Sequence, residues 1–276
     1  MSGPLPWGRR YLMCPPEHYT VMYEINPWMH RSVSVTPDRA RDQWERLRRT
    51  LVDAGATVEL QPAVEGWPDL VFTANAGIVN GQCFVPSRFR HPDRQGEVPH
   101  YVAWFRSHGY RVAELPEGVA HEGAGDALPF GSVFLSGYRF RSDAAAHVAL
   151  SQLVGVPVRP VELSDARFYH LDLTFCPLDD RRALVAPQAW DRYGQRVMAA
   201  IVPEPLVLEP AESAAFCANS VVVGTTVVMP ACPPRIARQL EAWGFDVVVT
   251  PVDEFQKAGG ACRCLTVALD VSLSPR

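Results

Sequence analysis

Apolar and polar positions along the chain fall into one recurring pattern. A stretch with helical spacing of apolar residues among charged ones runs into a glycine or proline, and a short apolar run follows. "WERLRRTLVDAGATVEL" stops at Gly55 and "VAWFRSHGYRVAEL" at Gly109. "HVALSQLVGVPVRPVEL" stops at Gly155, "RVMAAIVPEPLVLEP" at Pro203 and "RIARQLEAWGFDVVVTP" at Gly244. Glycine suits a helix end because the left-handed cap conformation brings no Cβ clash. The stops lie 54, 46, 48 and 41 residues apart. Each unit therefore predicts a helix followed by a strand.

After each pair comes a turn with polar residues, then further apolar runs. These turns hold Asn75 in "FTAN", Glu122 in "HEGAGD", His170 in "YHLD", Asn219 in "FCANS" and Cys264 in "GGACRCLT", spaced 47, 48, 49 and 45 residues apart. Stepping back 49 residues from Asn75 reaches Asn26 in "YEINPWMH". A period of 40–50 residues carrying both strand and helix points to a repeat architecture of α/β layers. Five units can close into a ring, in which equivalent turns meet near one axis. The alternative is an open sheet of βαβ segments, and its dinucleotide-binding form would show a G-x-G-x-x-G between strand and helix. The chain has none; "GAGDAL" breaks that pattern.

Composition narrows the class. The chain has 276 residues, 47% hydrophobic and 20% charged, the balance of an ordinary globular protein. No composition shift marks a linker, and residues 1–276 read as one domain. No apolar run approaches the roughly 18 residues that span a bilayer, and the N-terminus lacks the apolar centre of a signal peptide. The expectation is a cytoplasmic protein without a membrane partner. A formal net charge of −4 argues against nucleic acid as a partner. Lys257 is the lone lysine, so any Schiff-base or Walker-type lysine chemistry would have to use it.

Seven cysteines, odd in number and scattered, with no C-x-x-C, do not form a disulfide framework. Cys262 and Cys264 lack further ligands at metal-site spacing, and the eight histidines form no H-x-x-x-H pair, so no metal is expected. No G-x-S-x-G elbow is present. What remains is a cysteine nucleophile with a distant histidine and carboxylates. Cys264, His170 and Glu122 occupy equivalent places in different units, which strengthens that reading over a buried core cysteine. Because two glycines open "GGACRCLT", its first part reads as loop. Cys264, entering the apparent strand "CLTVAL", is the better-positioned thiol, and Cys262 reads as packing.

"FTAN", "EGAGD", "HLD", "CAN" and the terminal "G-G-x-x-R-C-L-T", in that order, resemble the guanidine-modifying superfamily over nearly the whole chain. That superfamily holds arginine deiminases, dimethylargininases, amidinotransferases and bacterial arginine dihydrolases. The resemblance implies the five-bladed pseudo-symmetric α/β propeller (pentein fold), a small guanidino substrate and no cofactor. It implies Cys264 as nucleophile, His170 as general acid and base, and Glu122 as a carboxylate that binds the guanidinium. Asp172 and Asp69 match further substrate-binding acids, and Arg94 and Arg141 match arginines that bind the substrate carboxylate. A guanidinium presents five N–H donors in a planar fork, which carboxylates satisfy in pairs. A cation beside Cys264 would lower its thiol pKa.

One departure separates the subfamilies. Deiminases and dimethylargininases end the motif read here as "FTAN" with an aspartate, and this chain has Asn75. An amide both donates and accepts, so it could hold the neutral ureido group of citrulline for a second attack. Arginine dihydrolases carry asparagine at this place, "MCPPEHYTVMYEINPWM" resembles their N-terminus, and Asn26 matches an active-site asparagine there. The resemblance thus implies conversion of arginine to ornithine, carbon dioxide and two ammonia. The alternatives are a dimethylargininase or deiminase that stops at citrulline, an amidinotransferase, or a non-catalytic arginine sensor. Oligomeric state leaves no mark in the sequence. "SRFRHPDRQGEVPH", residues 87–100, lacks clear periodicity and is the expected lid.

Overall fold

A computed structural model describes residues 3–274. All five predicted helix–strand pairs form, and each joins the middle and outer strands of a three-stranded sheet. The strands are β1 (Arg10–Met13), β2 (Thr57–Leu60), β3 (Gly77–Asn80), β4 (Cys83–Pro86), β5 (Arg111–Val112), β6 (Ala127–Phe130), β7 (Val133–Tyr138) and β8 (Val158–Glu162). They continue with β9 (Phe175–Pro177), β10 (Arg182–Val185), β11 (Glu204–Val207), β12 (Val221–Val223), β13 (Thr226–Met229), β14 (Asp246–Val249) and β15 (Val267–Ala268). The helices are α1 (Pro37–Asp53), α2 (Pro92–Gln95), α3 (Val98–Ser107), α4 (Ala146–Val154), α5 (Arg192–Ile201), α6 (Pro210–Ala214), α7 (Pro234–Ala242) and α8 (Asp253–Gln256).

The sheets run β3-β4-β5, β6-β7-β8, β9-β10-β11, β12-β13-β14 and β15-β1-β2. In every one the first pair is antiparallel and the second parallel. A parallel pair needs a crossover, which α1, α3, α4, α5 and α7 supply. The fifth sheet joins the two ends of the chain: Tyr11 pairs with Ala268 and Leu12 with Val267. Asp270 then accepts from the Gly8 and Arg9 amides at 3.0 and 2.7 Å. The ring expected from the period is therefore closed, and the open sheet is excluded.

Burial follows position in the blade. The first strands β6, β9, β12 and β15 are buried at every residue, whereas β2 and β14 are mostly exposed or half-buried. Helix α1 shows how the outer layer forms. Ala40, Gln43, Trp44, Leu47 and Leu51 are buried, a spacing that places one stripe against the sheet. At the end of α4, Gly155 takes the left-handed cap at φ 73° that its sequence position predicts.

Two local expectations change. "CLTVAL" is not extended from Cys264: residues 262–265 form a turn, and the strand is only Val267–Ala268. The nucleophile candidate thus sits on a turn before an axial strand, as the other four polar residues do. Residues 87–100 are not a free lid. They contain α2 and the start of α3, pinned by buried Arg94 and Glu97, whose side chains form a two-bond ion pair at 2.8 Å.

Candidate active site

The turns that lead into the axial strands are laced to one another. Asn75 Nδ2 donates to the Glu122 carbonyl at 3.0 Å, and Asn219 Nδ2 donates to the Asp172 carbonyl at 3.1 Å. The Ala74 amide donates to the Cys264 carbonyl at 3.1 Å. Asp126 takes the Leu171 amide at 3.0 Å and the Ser142 hydroxyl at 2.6 Å, and Ser142 Oγ accepts from the Glu122 amide. Gly125 allows this closeness: a Cβ there would stand 2.5 Å from Asn75 Nδ2 and 3.2 Å from His170 Nδ1.

Seven of the nine expected site residues line one cavity: Asn26, Asp69, Asn75, Arg94, Arg141, His170 and Cys264. Glu122 and Asp172, both fully buried, stand behind its wall. Glu122 Oε2 lies 2.9 Å from His170 Nε2 and accepts from Arg141 Nη1 at 2.8 Å. Burial would raise the Glu122 pKa, but Arg141 and His170 hold it well below the usual carboxylate range. Burial also lowers His170 to about 4, although Glu122 pulls the other way. The imidazole is then neutral near pH 7, with Nε2–H donating to the ionised Glu122.

Cys264 sits in a second cluster. Its Sγ–H donates to Asp172 Oδ2 at 3.3 Å, and Asn219 Nδ2 donates to the sulfur at 3.1 Å. Asn219 Oδ1 accepts the Ala261 and Cys264 amides at 3.0 and 3.2 Å, so one buried side chain fixes the whole turn. Asp172 is pushed up to about 7 by burial, and the thiol is raised by burial and by Asp172. The lowered thiol expected from a neighbouring cation is therefore not the resting state, since the group beside the sulfur is a carboxyl. Cys262 points away from the cavity, its thiol toward the Thr250 carbonyl at 3.5 Å. That is the packing role the sequence suggests.

The two arginines are part of the wall, and both are engaged. Arg94 reaches Asn75 Oδ1 at 2.9 Å and the Asp69 carbonyl at 3.1 Å besides Glu97. Arg141 donates to the Ile25 carbonyl at 3.0 Å and lies 4.7 Å over the Tyr169 ring. Asp69 Oδ1 is buried without a hydrogen-bond partner, and burial raises its pKa against the pull of Arg94. Ile25, Asn26 and Met29, on the irregular residues 14–36, cover part of the cavity, whose wall also takes Arg94 from residues 87–100. Asn26 Nδ2 donates to the Ala258 carbonyl at 3.0 Å and Trp28 Nε1 to the Arg167 carbonyl at 2.7 Å, holding that cover down. Among the described residues no group of three His, Cys, Asp or Glu is placed to hold a metal ion.

A thiol, a neutral imidazole, two carboxyls with raised pKa and an unpartnered carboxyl oxygen form a pocket short of positive charge on its acidic side. On that geometry the following likeness carries weight. An N(G),N(G)-dimethylarginine dimethylaminohydrolase of Mycobacterium tuberculosis is 39% identical over 264 residues, spanning 96% of this chain and 87% of that protein. The chain belongs to the guanidine-modifying enzymes. The bifunctional arginine dihydrolase/ornithine cyclodeaminase ArgZ of Synechocystis is another similar enzyme, 42% identical over 271 residues. That match spans 96% of this chain but 38% of ArgZ, so the chain corresponds to well under half of that relative. The crystal structure of the N-terminal domain of ArgZ, a cyanobacterial arginine dihydrolase, superposes with a TM-score of 0.91 at 41% identity, covering 96% of this chain and 98% of that one. No family model matches the chain. Membership in the guanidine-modifying enzymes agrees with the five-bladed propeller and with every motif order read from the sequence. Among the described residues no helix is long and apolar enough to cross a membrane.

The sequence pattern also held a residue whose part it did not reveal. Asn219 falls on the same period as Cys264 and His170, yet the spacing alone did not show that it touches the sulfur. Within residues 14–36 the period reaches Asn26, but no apolar pattern marks the segment as part of the cavity wall.

Proposed function

We propose that residues 1–276 form one catalytic domain that hydrolyses L-arginine twice, to ornithine, carbon dioxide and two ammonia. The observation that carries this reading is Asn75, a neutral amide on the cavity wall where hydrolases that stop at citrulline would hold a carboxylate. Its Nδ2 spends one hydrogen on the Glu122 carbonyl and keeps a second. That hydrogen suits the ureido oxygen of citrulline, so the first product is held rather than expelled.

The substrate guanidinium brings the positive charge that the pocket is short of. Asp69 and Asp172, raised by burial, then ionise more readily, and the thiol proton leaves Cys264. His170 takes up that proton. The thiolate attacks the guanidino carbon, a C–S bond forms, and the π electrons move to nitrogen. His170 returns the proton to the leaving nitrogen, and ammonia departs. Water, deprotonated by His170, attacks the same carbon, and the C–S bond breaks to give citrulline and the thiol. In a second cycle the thiolate displaces the second ammonia from the ureido carbon, water breaks the new C–S bond to leave the carbamate of ornithine, and its C–N bond breaks with protonation of nitrogen to give ornithine and carbon dioxide. Arg94 and Arg141, at the cavity wall, supply donors for the α-carboxylate.

The relatives add support. A cysteine-to-serine variant of the ArgZ N-terminal domain is bound to substrate, and an asparagine-to-serine variant is covalently bonded to a reaction intermediate. We place the reaction in the cytoplasm, which suits seven free cysteines. The similarity to a dimethylargininase favours methylated arginine as the second reading. Competition between the two substrates separates them: the dihydrolase reading expects kcat/KM for arginine at least about tenfold above that for NG,NG-dimethylarginine, a gap of about 1.4 kcal/mol. A preference for the dimethylated substrate overturns it.

A further inference from the structure

Two buried oxygens beside the catalytic cavity have no hydrogen-bond partner among the described residues: Asp69 Oδ1 and the Tyr23 hydroxyl. Asp69 lies on the short 3-10 helix Pro68–Val71 and lines the cavity. Tyr23 lies on residues 14–36, two positions before Ile25, which covers part of that cavity. Arg94 Nε stands 3.8 Å from Asp69 Oδ2, too far for a hydrogen bond. Four of the five Arg94 hydrogens are committed to Glu97, Asn75 and the Asp69 carbonyl. The fifth, on Nη1, is left for the substrate α-carboxylate under the proposed reaction.

Tyr23 is the uncommitted donor beside the Asp69 carboxyl. Burial raises the pKa of both groups; Arg94 and then the Tyr23 hydroxyl pull Asp69 back down, and Asp69 pushes Tyr23 further up. A neutral carboxyl accepts a weak hydrogen bond, whereas an ionised one accepts a charge-assisted bond of roughly twice the strength. A cationic substrate favours the ionised form of Asp69, and so strengthens what Tyr23 can give. The segment that carries Tyr23 is already held by bonds from Asn26 to the Ala258 carbonyl and from Trp28 to the Arg167 carbonyl. A bond from Tyr23 to Asp69 would fasten it also to the wall that holds Arg94.

We propose that Tyr23 is a positioning residue for substrate binding: its hydroxyl donates to the Asp69 carboxylate once a cationic substrate has entered, and that bond draws residues 23–29 onto the substrate. Tyr23 acts through Asp69 and does not itself touch the reacting atoms. The inference rests on the reading of this cavity as the site of a guanidino substrate, and not on whether the guanidino carbon is attacked once or twice.

Tyr23→Phe keeps the ring and removes the hydroxyl. Followed by ammonia release from arginine, it should raise KM about tenfold, the size of one hydrogen bond to a charged group, while kcat stays within about threefold. In an Asp69→Asn background the same change should move KM by no more than about threefold, because the anion that Tyr23 serves is gone. Crystals of Cys264→Ser with arginine should place the Tyr23 oxygen about 2.7 Å from an Asp69 carboxylate oxygen. Three results overturn the proposal: an unchanged KM in a folded Tyr23→Phe, the full tenfold effect persisting in Asp69→Asn, or a Tyr23 oxygen more than about 3.5 Å from Asp69 in the complex. The crystals keep the tyrosine, so the test stands even where a variant is too weak to assay. A wild-type chain that leaves arginine untouched fails the guanidino reading itself, before any variant is compared.

Discussion

Cys264 and Cys262 are two residues apart, yet their surroundings differ completely. Cys264 lines the cavity with Asn219 and Asp172 on its sulfur, and Cys262 faces a backbone carbonyl in the core. Cys264→Ser should therefore lower kcat by at least about 10³-fold. Cys262→Ser should leave kcat within about threefold and lower stability by about 1 kcal/mol, read from a urea melt. Asp172 carries the pH dependence at this scale. Its pKa is raised to about 7, so below that pH it holds a proton and no longer offers a carboxylate to the substrate guanidinium. The kcat/KM profile, which reports the free enzyme, should fall about tenfold per unit below pH 7. Asp172→Asn should be less active at pH 8 and lack that limb. An unchanged limb in the variant assigns it to another group. The identity of the thiol was legible because its position repeats a spacing shared by four other residues. Its electrostatics were not, because the carboxyl beside it lies 92 residues away in sequence.

Elements divide the work between blade and turn. The helix–strand pairs were legible from apolar periodicity and helix stops, because each buries a stripe against its own sheet. The short axial strands were harder to bound: β15 has two residues, and its partner β1 lies at the other end of the chain. Local pattern says little about such a pairing, and the strand was read too early, from Cys264. Two segments without clear periodicity meet at the cavity wall, and local pattern does not separate their parts. Residues 87–100 look irregular but carry a buried ion pair, whereas residues 14–36 are irregular and held by a few cross-chain hydrogen bonds. Asn26 accepts the Trp28 amide and donates to Ala258. Asn26→Ala removes both bonds, each worth about 1 kcal/mol, and should raise KM for arginine about tenfold while kcat stays within threefold. Equal losses in kcat and in kcat/KM would place Asn26 in the chemistry instead.

At the scale of the molecule, five-fold repetition turns a scattered set of residues into a site. Asn75, Glu122, His170, Asn219 and Cys264 come from five different sheets, and ring closure brings them to one end of the axis. The same closure buries carboxyls that lack enough positive partners, so the site is built to receive a cation. Under the proposed double hydrolysis, selectivity comes from which side chain a repeat places at the axis, and Asn75 is one such place.

Ammonia counted against arginine consumed tests the central claim most directly, with the amino-acid product identified at completion. The double hydrolysis expects two ammonia per arginine and ornithine as the end product. One ammonia per arginine with citrulline accumulating would contradict it, and would reduce Asn75 to a turn residue in an enzyme that attacks once.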